Sequence, residues 1–236
     1  MRRIHSASAS ERLLDGSDLT VNDRTGCPRL SFVLLHVWVL GVCGVVVGAF
    51  IVQFAGSELP CPLCMLQRMA MLLAAMGPMF IIRRNSVAEA DPTADFSTGF
   101  GISILASVVG LAISGRQTLL HILPGDPGYG GAVLGLHLYT WAFIVFISVL
   151  LVSGITLAAG PVMAIGRRSD RMGGWSRITA WVFGLVIAAN AVSVFFESGT
   201  EWFLPDNPTS YELIQEFLEF LERRSGDPGP SAQNTN

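Results

Sequence analysis

Residues 31–54 read SFVLLHVWVLGVCGVVVGAFIVQF, a run of 24 residues without a formal charge. A second uncharged run covers the 27 residues from 139 to 165. A helix needs about 20 predominantly apolar residues to cross a hydrocarbon core of roughly 30 Å. Both runs are long enough, and a soluble domain does not concentrate its apolar residues in this way. The sequence therefore predicts an all-α integral membrane protein.

The composition of the whole chain agrees with that class, because 51% of its 236 residues are hydrophobic and only 14% are charged. Five membrane spans are predicted, at about residues 31–54, 62–82, 100–120, 137–165 and 175–196. The fourth is long enough to tilt, or to end early at Gly160-Pro161, where the proline favours a kink or a stop. The net charge of −3 and the lack of a basic block give no indication of a nucleic-acid partner.

The arginines of the loops predict the orientation, because cytoplasmic loops of membrane proteins carry an excess of Lys and Arg. Arginines precede the first span, follow the second, and surround the turn between the fourth and fifth: Arg24, Arg29, Arg83, Arg84, Arg167, Arg168, Arg171 and Arg177. The loops of residues 55–61 and 122–136 contain neither Lys nor Arg. We therefore expect a cytoplasmic N terminus and place both of these loops on the outer side.

Four regions follow from this topology. They are a cytosolic tail of residues 1–30, a four-span bundle of residues 31–165, a fifth span of residues 175–196 and an outer tail of residues 197–236. Within the outer tail, residues 209–212 have the spacing of a capping box, and apolar residues recur on one helical face after it. This pattern predicts an amphipathic helix on the membrane surface or, alternatively, a docking surface for a partner.

The four cysteines are Cys27, Cys43, Cys61 and Cys64. Cys27 lies in the predicted cytosolic tail, where thiols stay reduced. Cys43 lies within the first span among glycines, as a small packing residue does. We assign no chemistry to these two. Cys61 and Cys64 differ, because the predicted topology places them on the oxidising side of the membrane.

The local sequence around the Cys61/Cys64 pair indicates reactive thiols. Pro62 suits the first turn of a helix, where its missing N–H has no cost. The positive end of the helix dipole and Arg68, one turn after Cys64, both favour a thiolate. A disulfide formed by such a pair is expected to exchange readily. A structural disulfide is less well supported, because a four-residue loop constrains little of the unfolded chain.

The alternatives to redox chemistry for the CxxC pair are two kinds of metal site and inert thiols. A zinc site would need two more ligands, which His121 and His137 on the same side could supply, but there is no second closely spaced ligand pair. A c-type haem requires a histidine directly after the second cysteine, and Met65 is there instead. Redox chemistry remains the main prediction for the pair.

Polar residues gather at the depth of the pair. Arg68 lies near the outer end of the second span, and Arg116, Gln117 and His121 lie at the outer end of the third, within roughly 7.5 Å of helix. Each arginine could instead snorkel to the interface. An oxidised dithiol must pass on two electrons, and a quinone is the membrane-soluble acceptor with an apolar tail. We predict these four residues as quinone-binding, because quinone carbonyls accept hydrogen bonds and reduction develops negative charge.

The chain resembles the disulfide bond formation protein B family of bacterial inner membranes. The resemblance covers roughly residues 30–165 and rests on CPLC at 61–64, with an arginine four residues later, and on GRQ at 115–117 followed by His121. It implies a four-helix bundle that takes electrons from a periplasmic thioredoxin-like dithiol oxidase and passes them to ubiquinone or menaquinone. Such an enzyme serves the oxidative folding of exported proteins.

The resemblance also implies a role for each matching residue. Cys64 would be the thiolate facing the quinone, and Cys61 its partner in a Cys61–Cys64 disulfide. Arg68 would be the cation on the quinone side, and Gln117 and His121 would belong to the pocket.

Two features depart from the family pattern. Residues 122–136 contain no cysteine, whereas well-studied members carry a second pair in this loop. The fifth span and the outer tail have no counterpart in a four-span pattern. Either the partner exchanges directly with Cys61–Cys64, or another protein supplies the relay, or the oxidase interpretation is wrong. The alternatives are a quinone reductase related to vitamin K epoxide reductase, with electrons flowing the other way, and a transporter or assembly subunit whose CxxC is incidental.

Overall fold

The structure is a computed structural model that describes residues 28–56, 59–86, 91–126, 128–159, 173–199 and 211–225. Its elements, in chain order, are α1 (Pro28–Ala55), α2 (Pro62–Arg84), α3 (Pro92–Leu120), β1 (Ala132–Val133), β2 (Leu136–His137), α4 (Leu138–Ala158), α5 (Gly174–Ser198) and α6 (Glu212–Ser225). Helices α1 to α5 are each long and apolar enough to cross a membrane. The predicted class, an all-α integral membrane protein, is confirmed.

The bundle is built around α2. Helix α2 packs most extensively on α3, α3 packs on α4, and α1 packs on α2. Helix α5 lies against α1 and α2, and α6 packs on α5. The interior is apolar and includes the fully buried Val39, Val46, Ala75 and Phe146. Large apolar side chains such as Leu105 and Trp181 are exposed on the outside, as expected of helices that face lipid.

Small residues allow α2 and α3 to approach closely. A Cβ on Gly77 would collide with the backbone oxygen of Gly99, and a Cβ on Gly99 would collide with the side chain of Ile81. Beside them, the Ser103 hydroxyl donates to the Ala74 carbonyl at 2.8 Å. Close backbone contact through glycine and serine is a common way for helices to associate where lipid removes the hydrophobic drive between them.

Helix α3 begins eight residues before the predicted boundary at residue 100. The Asp91 side chain accepts a hydrogen bond from the Thr93 N–H at 2.9 Å, and Pro92 occupies the first turn. Asp95 is buried and pairs with Arg84 at the end of α2, at 2.9 Å. These caps and the ion pair extend the helix through polar sequence that an apolar pattern does not mark.

The predicted boundaries near two other helix ends lie partly outside the described residues. Helix α4 ends at Ala158, well before the predicted limit at 165, and Gly160-Pro161 are not among the described residues. Thr209 and Ser210 of the predicted capping box, and most of the tail of residues 1–30, also lie outside the described residues. The amphipathic helix itself is present as α6, and its location on a membrane stays a prediction.

Two buried polar contacts join α1 to α5. The His36 Nε2 atom lies 3.2 Å from the Ser176 hydroxyl, and the Gln53 side-chain N–H donates to the Ser193 hydroxyl at 3.3 Å. The partners in both contacts are separated by 140 residues, so the two helices run parallel with one constant register. At 1.5 Å per residue the contacts lie about 25 Å apart, near opposite ends of the pair.

Candidate redox site

The CxxC motif forms the N terminus of α2. Cys61 has extended backbone angles (φ −73°, ψ 162°) and occupies the N-cap, and its sulfur accepts a hydrogen bond from the Cys64 N–H at 3.2 Å. Pro62 follows in the first turn, where no N–H is needed. The first amide groups of a helix lack intrahelical partners, so they are free to interact with sulfur. The motif thus places both thiols at the positive end of the helix.

The two thiols are in position to form a disulfide. Both cysteines are free, and their Sγ atoms lie 2.6 Å apart, within a small movement of the S–S bond length of about 2.05 Å. Cys61 is buried and Cys64 is half-buried. The hydrogen bond with Cys64 raises the pKa of the Cys61 thiol, and burial acts in the same direction. Cys61 therefore holds its proton more firmly than an ordinary thiol does.

Gln117 of α3 contacts both sulfurs. Its side-chain N–H₂ group lies 3.2 Å from the Cys61 sulfur and 3.6 Å from the Cys64 sulfur, and the residue is only 1% exposed. Its carbonyl oxygen accepts a hydrogen bond from the Gln67 amide of α2 at 2.8 Å, which fixes the orientation of the Gln117 amide. Donors aimed at sulfur favour the thiolate form.

A cavity of about 440 Å³ opens beside Cys64 and Arg68, between α1, α2, α4 and the loop before α4. Its walls are apolar, and the loop closes one side. The apolar lining includes Val45, Val46, Leu59, Met71, Val133, Leu134, Leu138, Trp141, Ala142 and Val145. This volume lies within the range of small-molecule sites, which run from about 300 to 1,000 Å³.

Arg68 is the buried cation of the cavity wall. Its side chain is 8% exposed, its guanidinium donates to the Gln53 carbonyl oxygen at 2.8 Å, and it lies 5.1 Å from the centre of the Phe50 ring. A buried charge needs such partners, because leaving water costs several kcal/mol even after relaxation. The side chain is thus held inside the protein rather than extended to the interface as a lone snorkelling residue.

A carboxylate from α5 completes a network around Arg68. Gln53 donates to Glu197, and the Ser193 hydroxyl donates to the same carboxylate oxygen at 2.9 Å. Glu197 is 3% exposed, and its second oxygen has no hydrogen-bond partner among the described residues. The network joins α2, α1 and α5 at the level of the dithiol.

Sequence reasoning missed Gln53, Gln67 and Glu197. The available signal was the same for each, namely a polar side chain within or at the end of an otherwise apolar span. Such residues in membrane helices usually face the protein interior. The sequence alone does not show which helices lie side by side, so it could not bring Glu197 to Arg68.

Of the four predicted quinone-binding residues, Arg68 lines the cavity that the described residues form, whereas Arg116, Gln117 and His121 lie outside its lining. Arg116 is exposed on α3. His121 pairs with Asp126 at 3.1 Å and stacks on the Tyr139 ring at 5.6 Å. The Gly128 N–H, at 2.8 Å, and the His121 contact hold the pKa of the Asp126 carboxyl below its usual value. The proposed quinone contacts of Arg116 and His121 stay predictions.

The described residues give no support to the alternative of a zinc site. His137 stacks on the Tyr139 ring at 5.3 Å, and its Nδ1 atom lies 3.2 Å from the Gly130 carbonyl oxygen. Within the ranges that the structure describes, no three His, Cys, Asp or Glu side chains gather in a way that could hold a metal ion.

The fold and the site define a class: a multi-pass helical membrane protein with a buried dithiol at one end of its bundle. Residues 31–129 match the family model described as "Disulfide bond formation protein DsbB". The resemblance inferred from the motifs is thereby confirmed over that segment. It contains the dithiol, Arg68 and Gln117, and it ends before α4.

One relative is "Disulfide bond formation protein B" of Chromohalobacter salexigens, which is 38% identical over 88 residues. The aligned region covers 36% of this chain and 48% of the relative, so the match spans about half of that protein's length. No solved structure matches the chain. Helices α4, α5 and α6 lie outside the family match.

Proposed function

We propose that the protein is a quinone-dependent thiol–disulfide oxidoreductase of the bacterial inner membrane. It reoxidises a thioredoxin-like dithiol partner on the periplasmic side and passes the electrons to ubiquinone or menaquinone. One observation carries the proposal: the sulfurs of Cys61 and Cys64 lie 2.6 Å apart, and Cys64 borders an apolar cavity whose wall holds the buried cation Arg68. The match of residues 31–129 to the DsbB family model supports it.

The cavity has the chemistry that a quinone ring requires. Its walls are almost wholly apolar, which suits a ring with an apolar tail, and its polar lining includes Arg68, Gln53 and Gln67. A cation at a carbonyl oxygen stabilises the negative charge that develops there on reduction. A bound quinone supplies the two-electron acceptor and takes up two protons as it becomes hydroquinone.

The thiol chemistry divides into two exchanges. A thiolate of the reduced partner attacks the Cys61–Cys64 disulfide, and its second thiol then resolves the mixed disulfide. The partner leaves as a disulfide, and this chain keeps the two electrons and two protons as a dithiol. In the second exchange, Cys64 and Cys61 give up both electrons and both protons to the acceptor, and the S–S bond forms again. Gln117, which contacts both sulfurs, stabilises Cys64 as the thiolate in this step.

We further propose that the dithiol end faces the periplasm. Arg83 and Arg84 end α2 at the opposite side from Cys64, and Arg177 lies in the first turn of α5. The parallel register of α1 and α5 puts Arg177 on the same side as the start of α1. Positively charged loops remain in the cytoplasm.

Serine variants test this function. Cys61→Ser and Cys64→Ser should each abolish oxidation of a thioredoxin-like dithiol protein by the membranes, because neither variant can form the disulfide. Cys43→Ser is the matched control, since Cys43 is buried in α1, does not line the cavity and should leave turnover unchanged. Full activity in the Cys61→Ser/Cys64→Ser double variant would contradict the proposal and favour a transporter or assembly role.

A further inference from the structure

The buried carboxylate of α5 has no part in the function proposed above, and α5 lies outside the segment that matches the family. We propose that Glu197 is a positioning residue of the quinone site, which acts on Arg68 through Gln53. Helix α5 is then part of the redox site rather than an addition to it. This inference rests on the proposed function.

The side-chain amide of Gln53 is the link. Its N–H₂ group donates to Glu197 and to Ser193, and its carbonyl oxygen accepts from Arg68 at 2.8 Å. An amide can flip by half a turn, which would point its two donors at the guanidinium. The same Glu197 oxygen accepts hydrogen bonds from Gln53 and Ser193, so Glu197 holds the N–H₂ group on its own side. The oxygen of Gln53 is thereby kept towards Arg68.

The burial of the three residues gives the contact its strength. Arg68, Gln53 and Glu197 are 8%, 2% and 3% exposed. The guanidinium of Arg68 and the carboxyl group of Glu197 are thus enclosed together, and one amide separates them. The contact of Arg68 with Gln53 involves neither sulfur, so the same contact can hold Arg68 in place whether the pair is a dithiol or a disulfide.

A purely structural role for Glu197 would be to attach α5 to α1. The Ser176–His36 contact serves that role at the other end of the same two helices, about 25 Å away. It is also a buried polar contact between the same helices, and it lies far from the cavity of the dithiol. Ser176→Ala is therefore the matched control for a Glu197 variant.

The test uses the full-length protein in lipid nanodiscs, a reduced thioredoxin-like dithiol protein and a short-chain ubiquinone. Glu197→Ala should raise the apparent KM for the quinone about tenfold, because the variant loses one orienting hydrogen bond in a buried site. Its kcat should change by less than about threefold. Glu197→Gln keeps an acceptor oxygen for Gln53 and should raise KM less. Ser176→Ala should leave KM unchanged.

A double-variant cycle tests the route through Gln53. Gln53→Ala alone should raise KM, and adding Glu197→Ala should then raise it by less than about twofold, because the link is already gone. If Glu197→Ala does not fold, Glu197→Gln tests the inference instead, because the glutamine variant must still have a higher KM than the wild type. An unchanged KM in the Glu197 variants, or an equal rise in Ser176→Ala, overturns the inference. A wild-type protein that does not reduce quinone overturns the proposed function and this inference with it.

Discussion

At the scale of single residues, the site is a set of polar side chains held at one end of an apolar bundle. Gln117 contacts both sulfurs, and Arg68 forms the cationic wall of the cavity. The sequence could predict Cys61, Cys64, Arg68 and Gln117 because they stand in recognisable spacings. Their environment could not be predicted in this way, because it depends on which neighbouring helix supplies each partner.

Arg68→Ala should raise the apparent KM for a short-chain quinone by tenfold to about a hundredfold, because hydrogen bonds to a charged group contribute about 1.5–3 kcal/mol. Steady-state kinetics across a quinone titration measures it. Arg84→Ala is the control on the same helix, since Arg84 pairs with Asp95 at the opposite end of α2. Equal KM values for the two variants would contradict the role given to Arg68.

The two thiols should differ in reactivity. The pKa of Cys61 is raised, so near neutral pH a smaller fraction of Cys61 is thiolate than of an ordinary thiol. Alkylation of the reduced protein by a small reagent near pH 7 should therefore modify Cys64 first, and Cys61 should react only as the pH rises. Peptide mass spectrometry over a pH series measures both rates. Faster modification of Cys61 near neutral pH would contradict this assignment.

At the scale of helices, most boundaries were predicted within a few residues, but the start of α3 and the end of α4 were predicted about eight and seven residues too late. Helix α2 begins at Pro62 as predicted, because proline and the cysteine N-cap are visible in the sequence. Helix α3 begins at Pro92 rather than near 100, because Asp91 and the Asp95–Arg84 pair extend it through polar sequence. The parallel contact of α5 with α1 could not be predicted, since apolar outer faces do not specify a neighbour.

Gly99→Ala should destabilise the contact between α2 and α3. The added Cβ would collide with Ile81 and approach the Gly77 carbonyl oxygen to 2.8 Å, and overpacking of this kind costs about 1–3 kcal/mol. The midpoint of thermal unfolding in detergent should fall by several degrees. Gly101→Ala is the control two residues along the same helix, where a Cβ meets nothing within 4 Å. Equal midpoints for the two variants would show that the close approach is absent.

At the scale of the whole molecule, the dithiol and the cavity are at one end of the bundle, and the arginines that end α2 are at the other. The orientation that we propose rests on that charge distribution, and single cysteines test it. In a variant without native cysteines, Leu123→Cys should react with an impermeant maleimide in spheroplasts, because the proposed orientation puts its loop on the outer side. Gly173→Cys should react only after the membrane is permeabilised. The reverse pattern would invert the topology.

One anaerobic experiment determines whether the dithiol beside the cavity reduces quinone. Fully reduced protein in nanodiscs is mixed with a short-chain ubiquinone, the quinone absorbance is followed, and the thiols are then alkylated and mapped by mass spectrometry. We expect one quinone to be reduced for each Cys61–Cys64 disulfide formed, with Cys43 still a thiol. Thiols that stay reduced with the quinone present, or quinone reduction that persists in Cys64→Ser, would contradict it.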